Sequence, residues 1–251
     1  MENNIIGIFS GKGGVGKTTL TVNLAISMVQ FNKNVIAVDT DLKMSGLGLH
    51  LNMYKFPTTI NDVLSSTKNL LDALYIHSSG IRIVPAPVYA EDVDTSRLKE
   101  VLANPYISNS YVLLDSPPGL EKNAIDVISA CNSAIILTTP EVPAVTDALK
   151  IVDKINKMNV NILGLVINMS DKDSQLDDEE IESALGVKII GKIPFDKNVR
   201  KSLSFRQPLM IYNPYSPASV EIKKIAAKIL NEKYENEKFL IFKRIFKGIK
   251  K

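Results

Sequence analysis

The chain contains few of the residues on which several classes of protein depend. Its 251 residues include one cysteine, two histidines and no tryptophan. A single cysteine, Cys131, cannot form an internal disulfide, which favours a reducing compartment, and it cannot supply the paired cysteines of a metal cluster. Its apolar helical surroundings predict a buried, small hydrophobic residue. His50 and His77 have no partner at metal-ligand spacing, so we interpret both as ordinary surface or packing residues.

Long apolar segments and a strong charge of one sign are also absent. No stretch approaches the roughly 18 uninterrupted apolar residues of a transmembrane helix, and an apolar strand pattern near residue 5 leads us to expect no signal peptide. Residues 238–251 hold six of the 30 basic residues and none of the 27 acidic ones. Residues 1–237 are therefore slightly acidic and show no basic stripe, which argues against a nucleic-acid partner. The length suits one α/β domain with a large core.

A glycine-rich stretch near the N-terminus fits G-x-x-x-x-G-K-[ST], the phosphate-binding loop, at residues 11–18. It lies between a buried strand predicted over 5–9 and a helix predicted over 18–30. The glycines allow backbone N–H groups to turn towards phosphate oxygens, and the helix N-terminus adds partial positive charge. We expect Lys17 to reach the β- and γ-phosphates and the Thr18 hydroxyl to bind Mg²⁺. The predicted nucleotide-binding residues here are Gly11, Lys12, Gly13, Gly14, Val15, Gly16, Lys17, Thr18 and Thr19.

Two later segments are each interpreted as a buried strand that ends in an acid. One ends at Asp39, with Asp41 two residues on, and the other runs over 111–115 to Asp115, followed by Ser-Pro-Pro-Gly. Ligands of open α/β sheets bind at the carboxyl ends of the strands. Neighbouring carboxylates repel each other unless they share a cation or face different groups. Asp115 fits the Walker B pattern of a Mg²⁺ site, and Gly119 is expected to offer its N–H to the γ-phosphate. Two turn-forming acids are the alternative at Asp39 and Asp41.

Lys12 is one lysine more than a plain phosphate loop needs, and a solvated loop charge is its simplest interpretation. However, Lys-Gly-Gly-Val-Gly-Lys-Thr resembles the deviant Walker A motif of the MinD/ParA family of ATPases, and Asp-Thr-Asp and Asp-Ser-Pro-Pro-Gly resemble that family's two switches. The resemblance implies that Lys12 touches the other subunit's nucleotide in an ATP-dependent homodimer, that Asp39 lies near the Mg²⁺ waters and that Asp41 positions the attacking water. It also implies slow hydrolysis by a lone subunit. The predicted catalytic residues are thus Lys12, Lys17 and Asp41, and the predicted metal-site residues are Thr18, Asp39 and Asp115.

A third group of residues is expected to recognise the base. Asn168 ends a strand predicted over 161–168 and forms Asn-x-x-Asp with Asp171, which is similar to a guanine-reading motif but lacks its lysine. Together with the family resemblance, this favours adenine, with Asn168 hydrogen-bonding the base; a loop-capping role is the alternative. The Ile-Pro-x-Asp segment resembles the family's C-terminal half, so Pro194 is expected to wall the adenine pocket.

The resemblance also marks residues that would face a second subunit. Glu141 and Asp147 lie in a segment that resembles a dimer-facing stretch of the family, which implies dimer contacts. Thr146 or Asp147 could instead favour the first turn of the following helix. Gly46 departs from the pattern, because many relatives have an Asn just beyond the first switch. The dimer contacts of that Asn are therefore not carried over to this chain.

The C-terminal segment differs from the rest in composition. At about 100° per residue, most apolar residues of 239–249 fall within one arc of roughly 160° with basic residues opposite, as in an interfacial membrane helix. The segment resembles the membrane-targeting sequence of the MinD branch, so an anionic membrane surface is the expected partner. Docking on its own domain and binding nucleic acid are the alternatives. The predicted membrane contacts are Phe239, Phe242, Ile245, Phe246 and Ile249, with the basic residues Lys243, Arg244 and Lys247.

Together these patterns predict one doubly wound α/β domain over 1–235, a SIMIBI-type P-loop NTPase with a mainly parallel sheet, and an amphipathic tail over 236–251. The predicted function is a MinD-like ATP hydrolase that uses Mg²⁺, cycles on the cytoplasmic face of the membrane and positions the division site or other machinery. An activator or client protein is expected but not identified. The alternatives are a ParA-type DNA- or cargo-partitioning ATPase, an ATPase that positions a flagellum or receptor array, and a metabolic ligase or reductase of the same superfamily.

Overall fold

An eight-stranded sheet forms the centre of the structure, a computed structural model that describes residues 4–88 and 93–234. The strands are β1 (Asn4–Phe9), β2 (Val35–Asp39), β3 (Tyr75–Ile76), β4 (Arg82–Val84), β5 (Tyr111–Asp115), β6 (Ser133–Thr138), β7 (Asn161–Ser170) and β8 (Ile189–Pro194). Their order is β3-β4-β2-β5-β1-β6-β7-β8, and within the described ranges every pairing is parallel except that of β3 with β4. The predicted mainly parallel sheet is confirmed, and β3 is an addition that the sequence did not suggest.

Helices cover both faces of this sheet. They are α1 (Lys17–Gln30), α2 (Leu47–His50), α3 (Ile60–Leu64), α4 (Leu98–Leu102), α5 (Lys122–Ala130), α6 (Val142–Lys157), α7 (Asp178–Leu185), α8 (Lys197–Ser204), α9 (Leu209–Tyr212) and α10 (Pro217–Leu230). Short 3-10 turns cover Leu70–Ala73, Thr95–Arg97 and Pro105–Ile107.

The central strand β1 explains why the core has two halves. Successive strand residues point to opposite faces, so Ile6 and Ile8 pack with residues of α1 and α10, while Ile5 and Phe9 pack with residues of α5 and α6. Burial on both faces is the reason that β1 is a continuous apolar run rather than an alternating one. The doubly wound α/β architecture predicted from the sequence is confirmed.

The ends of two helices differ from their predicted positions. α1 begins at Lys17, one residue earlier than expected. α10 was expected over 216–234 but ends at Leu230, because Asn231 adopts a left-handed conformation with φ of 52°. The N–H of Glu232 then donates to the Ala227 carbonyl at 2.8 Å, which closes the helix in the manner of a Schellman turn.

The end of the described chain lies beside the C-terminal end of α1. There Glu232 Oε1 pairs with Lys33 Nζ at 2.8 Å, a few residues after α10. The tail predicted over 236–251 lies outside the described residues, so its interpretation stays a prediction. Within 4–88 and 93–234, every helix is too short or too polar to span a bilayer.

Candidate nucleotide site

The phosphate loop and both strand-end acids lie at one edge of the sheet. β5 lies between β1 and β2, and the strand register pairs Asp115 with Ile8 on one side and with Asp39 on the other. The N–H and the hydroxyl of Thr40 both donate to the Asp115 carbonyl, at 3.1 and 2.7 Å, and fix the two acidic strand ends together. The structure thus brings together the loop and the acids, as the strand pattern predicts.

The loop itself is folded as a cradle around the Lys17 side chain. Gly16 has a φ of 98°, which residues with a side chain rarely adopt, and leads directly into α1. Lys17 Nζ donates to Ser10 Oγ at 2.8 Å, and Ser10 Oγ donates to the Lys12 carbonyl at 2.9 Å. At Gly13 and Gly14 a Cβ atom would have no neighbour within 4 Å, so the loop backbone is open there. Such an open loop with a helix N-terminus behind it suits a phosphate group.

The electrostatics of the site also suit a divalent cation. Burial raises the pKa of Asp115, against hydrogen bonds from Thr18 and Thr21 and the charge of Lys17. Burial and the nearby charge of Asp115 raise the pKa of Asp39 in the same way. Two buried carboxylates that repel each other beside a threonine hydroxyl form an oxygen-rich site of the kind that Mg²⁺ prefers, with further ligands from phosphate and water. Thr18, Asp39 and Asp115 therefore fit the predicted metal site.

Lys17 is the positive charge inside this arrangement. Burial lowers its pKa, while the negative charges of Asp115 and Asp41 act in the opposite direction. Asp41 is partly buried, and its Oδ1 accepts the Met44 N–H at 3.1 Å. The charge of Asp41 therefore acts on the site, as a predicted catalytic residue must, although its contact with an attacking water stays a prediction.

Asp39 organises the segment that follows the first switch. Its Oδ2 atom accepts hydrogen bonds from the Ser45 hydroxyl and from the N–H groups of Gly46 and Leu47, each at 3.1 Å. Its Oδ1 atom accepts the Asp41 N–H at 3.2 Å. With both oxygen atoms engaged, Asp39 is better placed to act on Mg²⁺ through water than as a direct ligand.

The second switch is closed onto the loop. The N–H of Gly119 donates to the Ser10 carbonyl at 3.1 Å. The predicted contact of this N–H with a γ-phosphate therefore requires that hydrogen bond to break. The role of Gly119 stays a prediction.

A cavity of about 280 Å³ adjoins the loop on its β7–β8 side. Asn168 and Pro194, both assigned to the base, line it together with Gly16 and Thr19, and most of its other lining is apolar. The side-chain amide of Asn168 donates to the Val15 carbonyl at 2.7 Å, so Asn168 also holds the loop itself. The cavity is consistent with a purine pocket, and the loop-capping alternative for Asn168 gains a specific contact.

The residues assigned to a dimer interface lie at the rim of the loop. Lys12 Nζ lies 3.8 Å from Glu141 Oε2, and both side chains are about half exposed, at 49% and 54%. Gly11 lies against Asp147, since a Cβ atom on Gly11 would be 2.3 Å from the Asp147 carbonyl carbon. The alternative that Asp147 or Thr146 belongs to the first helical turn is wrong, because α6 begins at Val142 and has no acid in its first turn.

Sequence reasoning missed one contact near the site. His50 lies at the end of α2, with Nε2 3.2 Å from Thr19 Oγ1 and Nδ1 2.9 Å from the Gly46 carbonyl oxygen. The four-residue spacing of Gly46 and His50 allows a side-chain to backbone contact, but no local pattern reveals the contact with Thr19. The His77 ring bonds locally, to Ser79, as an ordinary residue would.

Cys131 is only partly buried at the residue level. Its thiol donates to the Val127 carbonyl at 3.1 Å, and burial of the thiol raises its pKa above the ordinary value. The predicted small hydrophobic residue is therefore only partly buried, although its thiol group is enclosed.

A central parallel sheet with a phosphate loop after β1 and acids at the ends of β2 and β5 defines a P-loop NTPase. The ParA family model, described as "NUBPL iron-transfer P-loop NTPase", matches residues 2–230, and the chain belongs to this family.

Proteins of known sequence and structure agree with this assignment. An uncharacterized ATP-binding protein of Methanocaldococcus jannaschii is 37% identical over 234 residues, which cover 92% of this chain and 89% of that protein. The crystal structure of the cell division ATPase MinD of Pyrococcus furiosus matches with a TM-score of 0.86 and 31% identity, covering 92% of this chain and 99% of that one. The septum site-determining protein MinD of Pyrococcus horikoshii, complexed with Mg-ADP, matches with a TM-score of 0.85 and 31% identity over 91% and 96%.

The protein is therefore a MinD-like ATPase that uses ATP and Mg²⁺. The family, the fold class, the enzymatic activity and the cofactors predicted from the sequence are confirmed. The roles of individual site residues and the membrane and dimer assignments are not tested by these relatives.

Replacing Asn168 distinguishes its two assigned roles. We expect Asn168→Ala to bind both ATP and base-free tripolyphosphate about 2- to 10-fold more weakly, because the lost hydrogen bond to the Val15 carbonyl is worth about 0.5–1.5 kcal/mol and supports the phosphate loop. Isothermal titration calorimetry with each ligand measures the effect. A loss confined to ATP would contradict the loop-holding role and leave base recognition as the function of this side chain.

Proposed function

We propose that this ATPase pairs with a second copy of itself when ATP is bound, and that the pair is retained on an anionic membrane surface through residues 236–251. In this proposal, hydrolysis separates the two copies and releases them. The retained pair positions other machinery in the cell, with the division site as the first candidate, because the similar Pyrococcus proteins are named a cell division ATPase and a septum site-determining protein.

The dimer part of this proposal rests on the position of the Lys12 side chain. Lys17 lies inside the loop, whereas the Lys12 side chain projects from its rim and forms a 3.8 Å ion pair with Glu141. Ion pairs between exposed side chains contribute about 0–1 kcal/mol, so Lys12 can leave Glu141 at little cost. A second lysine whose side chain points away from its own loop is suited to stabilise charge on a nucleotide bound by a second copy.

The membrane half of the proposal rests on the sequence of 236–251 and on energetics. Each inserted apolar side chain contributes roughly 1.5–3 kcal/mol at best, and each basic residue adds about 1 kcal/mol near anionic lipid. Ordering the segment costs on the order of 1–2 kcal/mol per residue, so one copy binds weakly. Two copies in a dimer bind more strongly, because insertion of the second is intramolecular. This difference would make membrane binding depend on ATP.

Vesicle sedimentation tests the proposal. We expect the full chain to sediment with vesicles of phosphatidylglycerol and phosphatidylcholine in the presence of Mg²⁺ and a non-hydrolysable ATP analogue, but not with ADP. Phe242→Glu should reduce the sedimented fraction to the level seen with ADP. Leu240→Glu is the matched control, because Leu240 falls on the basic side of the predicted helix and its replacement should have the smaller effect.

The oligomeric state is measured on the same variants as the vesicle sedimentation. Analytical ultracentrifugation should find a dimer with the ATP analogue for the full chain, for Phe242→Glu and for a chain ending at residue 237. Lys12→Ala should not form this dimer or sediment with vesicles. Equal sedimentation of the full chain and the chain that ends at 237 would refute the membrane proposal, and a monomer under all conditions would refute the dimer.

Two other functions of the superfamily receive less support. Iron transfer appears in the description of the family model, but iron–sulfur clusters are held by several thiolates, and this chain has one cysteine, whose thiol pKa is raised by burial. DNA partitioning would require a basic surface outside the tail. Salt-sensitive DNA binding by a chain that ends at residue 237 would favour that function.

A further inference from the structure

His50 connects two segments of the nucleotide site that are distant in the sequence. Its Nδ1 lies 2.9 Å from the Gly46 carbonyl oxygen, and its Nε2 lies 3.2 Å from Thr19 Oγ1. A carbonyl oxygen only accepts, so Nδ1 carries the hydrogen, and in the neutral ring Nε2 accepts from the Thr19 hydroxyl. One imidazole ring therefore uses both nitrogen atoms to join the first turn of α1 to the start of α2.

The Gly46 end of this connection is part of the first switch. The N–H of Gly46 donates to Asp39 Oδ2 while its carbonyl accepts from His50, so the peptide groups around Gly46 are held from both sides. Gly46 also packs against Thr18, since a Cβ atom there would be 3.2 Å from Thr18 Cγ2 and 3.4 Å from its Oγ1. His50, Gly46 and Asp39 thus form a continuous series of contacts beside the threonine assigned to Mg²⁺.

The Thr19 end belongs to the nucleotide-binding element. Thr19 lies in the first turn of α1, whose N–H groups face the phosphate site, and it lines the cavity of about 280 Å³ that adjoins the loop. The carbonyl of Thr19 accepts the side-chain amide of Asn23 at 2.7 Å, which holds this turn in place. A ligand that displaces the Thr19 side chain therefore also changes the hydrogen bond between Thr19 and His50.

The surroundings favour the neutral ring. Outside His50 lies a second cavity of about 270 Å³, lined by Leu49, Tyr54, Leu203 and Arg206. Arg206 lies over the Tyr54 ring at 5.5 Å. Burial lowers the pKa of His50, while the hydrogen bond to the Gly46 carbonyl acts in the opposite direction. Among the groups that share this cavity or bond to the ring, no carboxylate is present to stabilise an imidazolium.

We propose that His50 is a positioning residue of the ATPase, which holds the segment 45–47 against the start of α1 and passes the occupancy of the nucleotide site at Thr19 to the first switch. His50 does not touch the reacting groups. It acts through Gly46, which in turn fixes Asp39 and the chain that follows Asp41. The inference rests on the assignment of Asp39 and Asp41 to the switch.

Two amide variants, each of which replaces one ring nitrogen atom, separate the bond to Gly46 from the bond to Thr19. In His50→Asn the side-chain amide nitrogen takes the place of Nδ1 and keeps the bond to the Gly46 carbonyl, but does not reach Thr19. In His50→Gln the terminal amide takes the place of Nε2 and reaches Thr19, but the side chain no longer bonds to Gly46, whose carbonyl still accepts the backbone N–H of residue 50 at 3.1 Å. If both bonds are needed, each variant should lower kcat with saturating Mg-ATP about 3- to 10-fold and leave the KM for ATP within about 2-fold, which corresponds to the loss of one hydrogen bond. His77→Asn is the matched control, because the His77 ring bonds to Ser79 two residues away and to no switch residue that the structure describes, and it should leave kcat unchanged.

A second readout does not depend on hydrolysis. Lys43 and Met44 are exposed in the switch segment, so trypsin can cleave after Lys43. Mg-ADP should slow this cleavage several-fold in the wild-type chain and in His77→Asn, but not in His50→Asn or His50→Gln. Protection by Mg-ADP requires neither a dimer nor a membrane, so failure of this coupling and failure of the proposed membrane cycle are distinguishable.

Three results would overturn the proposal. Both histidine variants could keep wild-type kcat and wild-type protection. Thr19→Val combined with His50→Gln could show fully additive losses, whereas residues that act through one contact are expected to be non-additive. A lower thermal unfolding midpoint, with kcat restored on cooling, would assign His50 a structural role only. If His50→Asn does not fold, His50→Gln alone decides between these outcomes.

Discussion

Lys12→Ala is expected to reduce ATP hydrolysis by on the order of 100- to 1,000-fold, because the variant does not pair and so loses a preorganised group that stabilises developing charge. The affinity of the isolated chain for ATP should change little. Within its own subunit the Lys12 side chain pairs with Glu141, whereas the Lys17 side chain bonds to Ser10 inside the loop. Hydrolysis and equilibrium ATP binding, measured on the same preparation, separate the two effects.

Two companion variants make this test specific. Lys17→Ala should lose ATP affinity as well as activity, because Lys17 lies within the loop. Lys157→Ala is the control and should leave hydrolysis unchanged, because Lys157 is an exposed lysine at the far end of α6 in an ion pair with Asp153. If Lys12→Ala hydrolysed ATP at the wild-type rate, or lost ATP affinity as Lys17→Ala does, the assignment of Lys12 to a second copy's nucleotide would be wrong.

Asp115→Asn is expected to stabilise the Mg²⁺-free protein while it disables the enzyme. Burial, with the charge of Asp41 acting in the same direction, makes the charged form of this carboxylate unfavourable and raises its pKa from 3.8 to about 6. A raised carboxyl pKa stabilises the folded state fully below the ordinary value, and that contribution is lost as the pH rises towards neutrality. Removing the charge should therefore increase the free energy of unfolding by about 1–3 kcal/mol near neutral pH in EDTA.

Urea denaturation in EDTA at acidic and at mildly alkaline pH measures this gain, which should shrink as the pH falls towards 4. In contrast, the rate of Mg-ATP hydrolysis should fall on the order of 100-fold or more, because the activation barrier rises by several kcal/mol. Asp153→Asn is the control, since Asp153 lies exposed on α6 in an ion pair with Lys157, and such a change is worth about 0.5 kcal/mol at most. An Asp115→Asn protein that is less stable than the wild type at alkaline pH would contradict the electrostatic account.

The central part of the site could be predicted because its signals are local in the sequence. The glycines between residues 11 and 16 permit the backbone conformation of a phosphate loop. The buried strands before Asp39 and Asp115 are continuous apolar runs. Once both strands are placed in one parallel sheet, their carboxyl ends must meet at one edge. The register of Asp39 opposite Asp115 is the consequence.

The parts that could not be predicted depend on contacts between distant segments. The bonds of Asp39 to Gly46 and Leu47 require the chain to turn back after the switch, and no periodic pattern encodes that turn. The contact of His50 with Thr19 spans 31 residues. The end of α10 was misplaced because residues 231–234 are polar and compatible with a helix, and only the left-handed conformation of Asn231 ends it.

α1 connects the two places on which the proposed cycle depends, which are the phosphate loop and the point where the described chain leaves α10. Its first residue, Lys17, lies in the phosphate loop, and the Lys33–Glu232 pair lies just beyond its other end, where the described chain leaves α10. Fourteen helical residues at about 1.5 Å each separate these points by roughly 20 Å. A subunit held to the membrane by its C-terminal segment would be attached on the side remote from the triphosphate. The edge of the sheet that bears the nucleotide site would then be free to contact a second subunit on the same membrane.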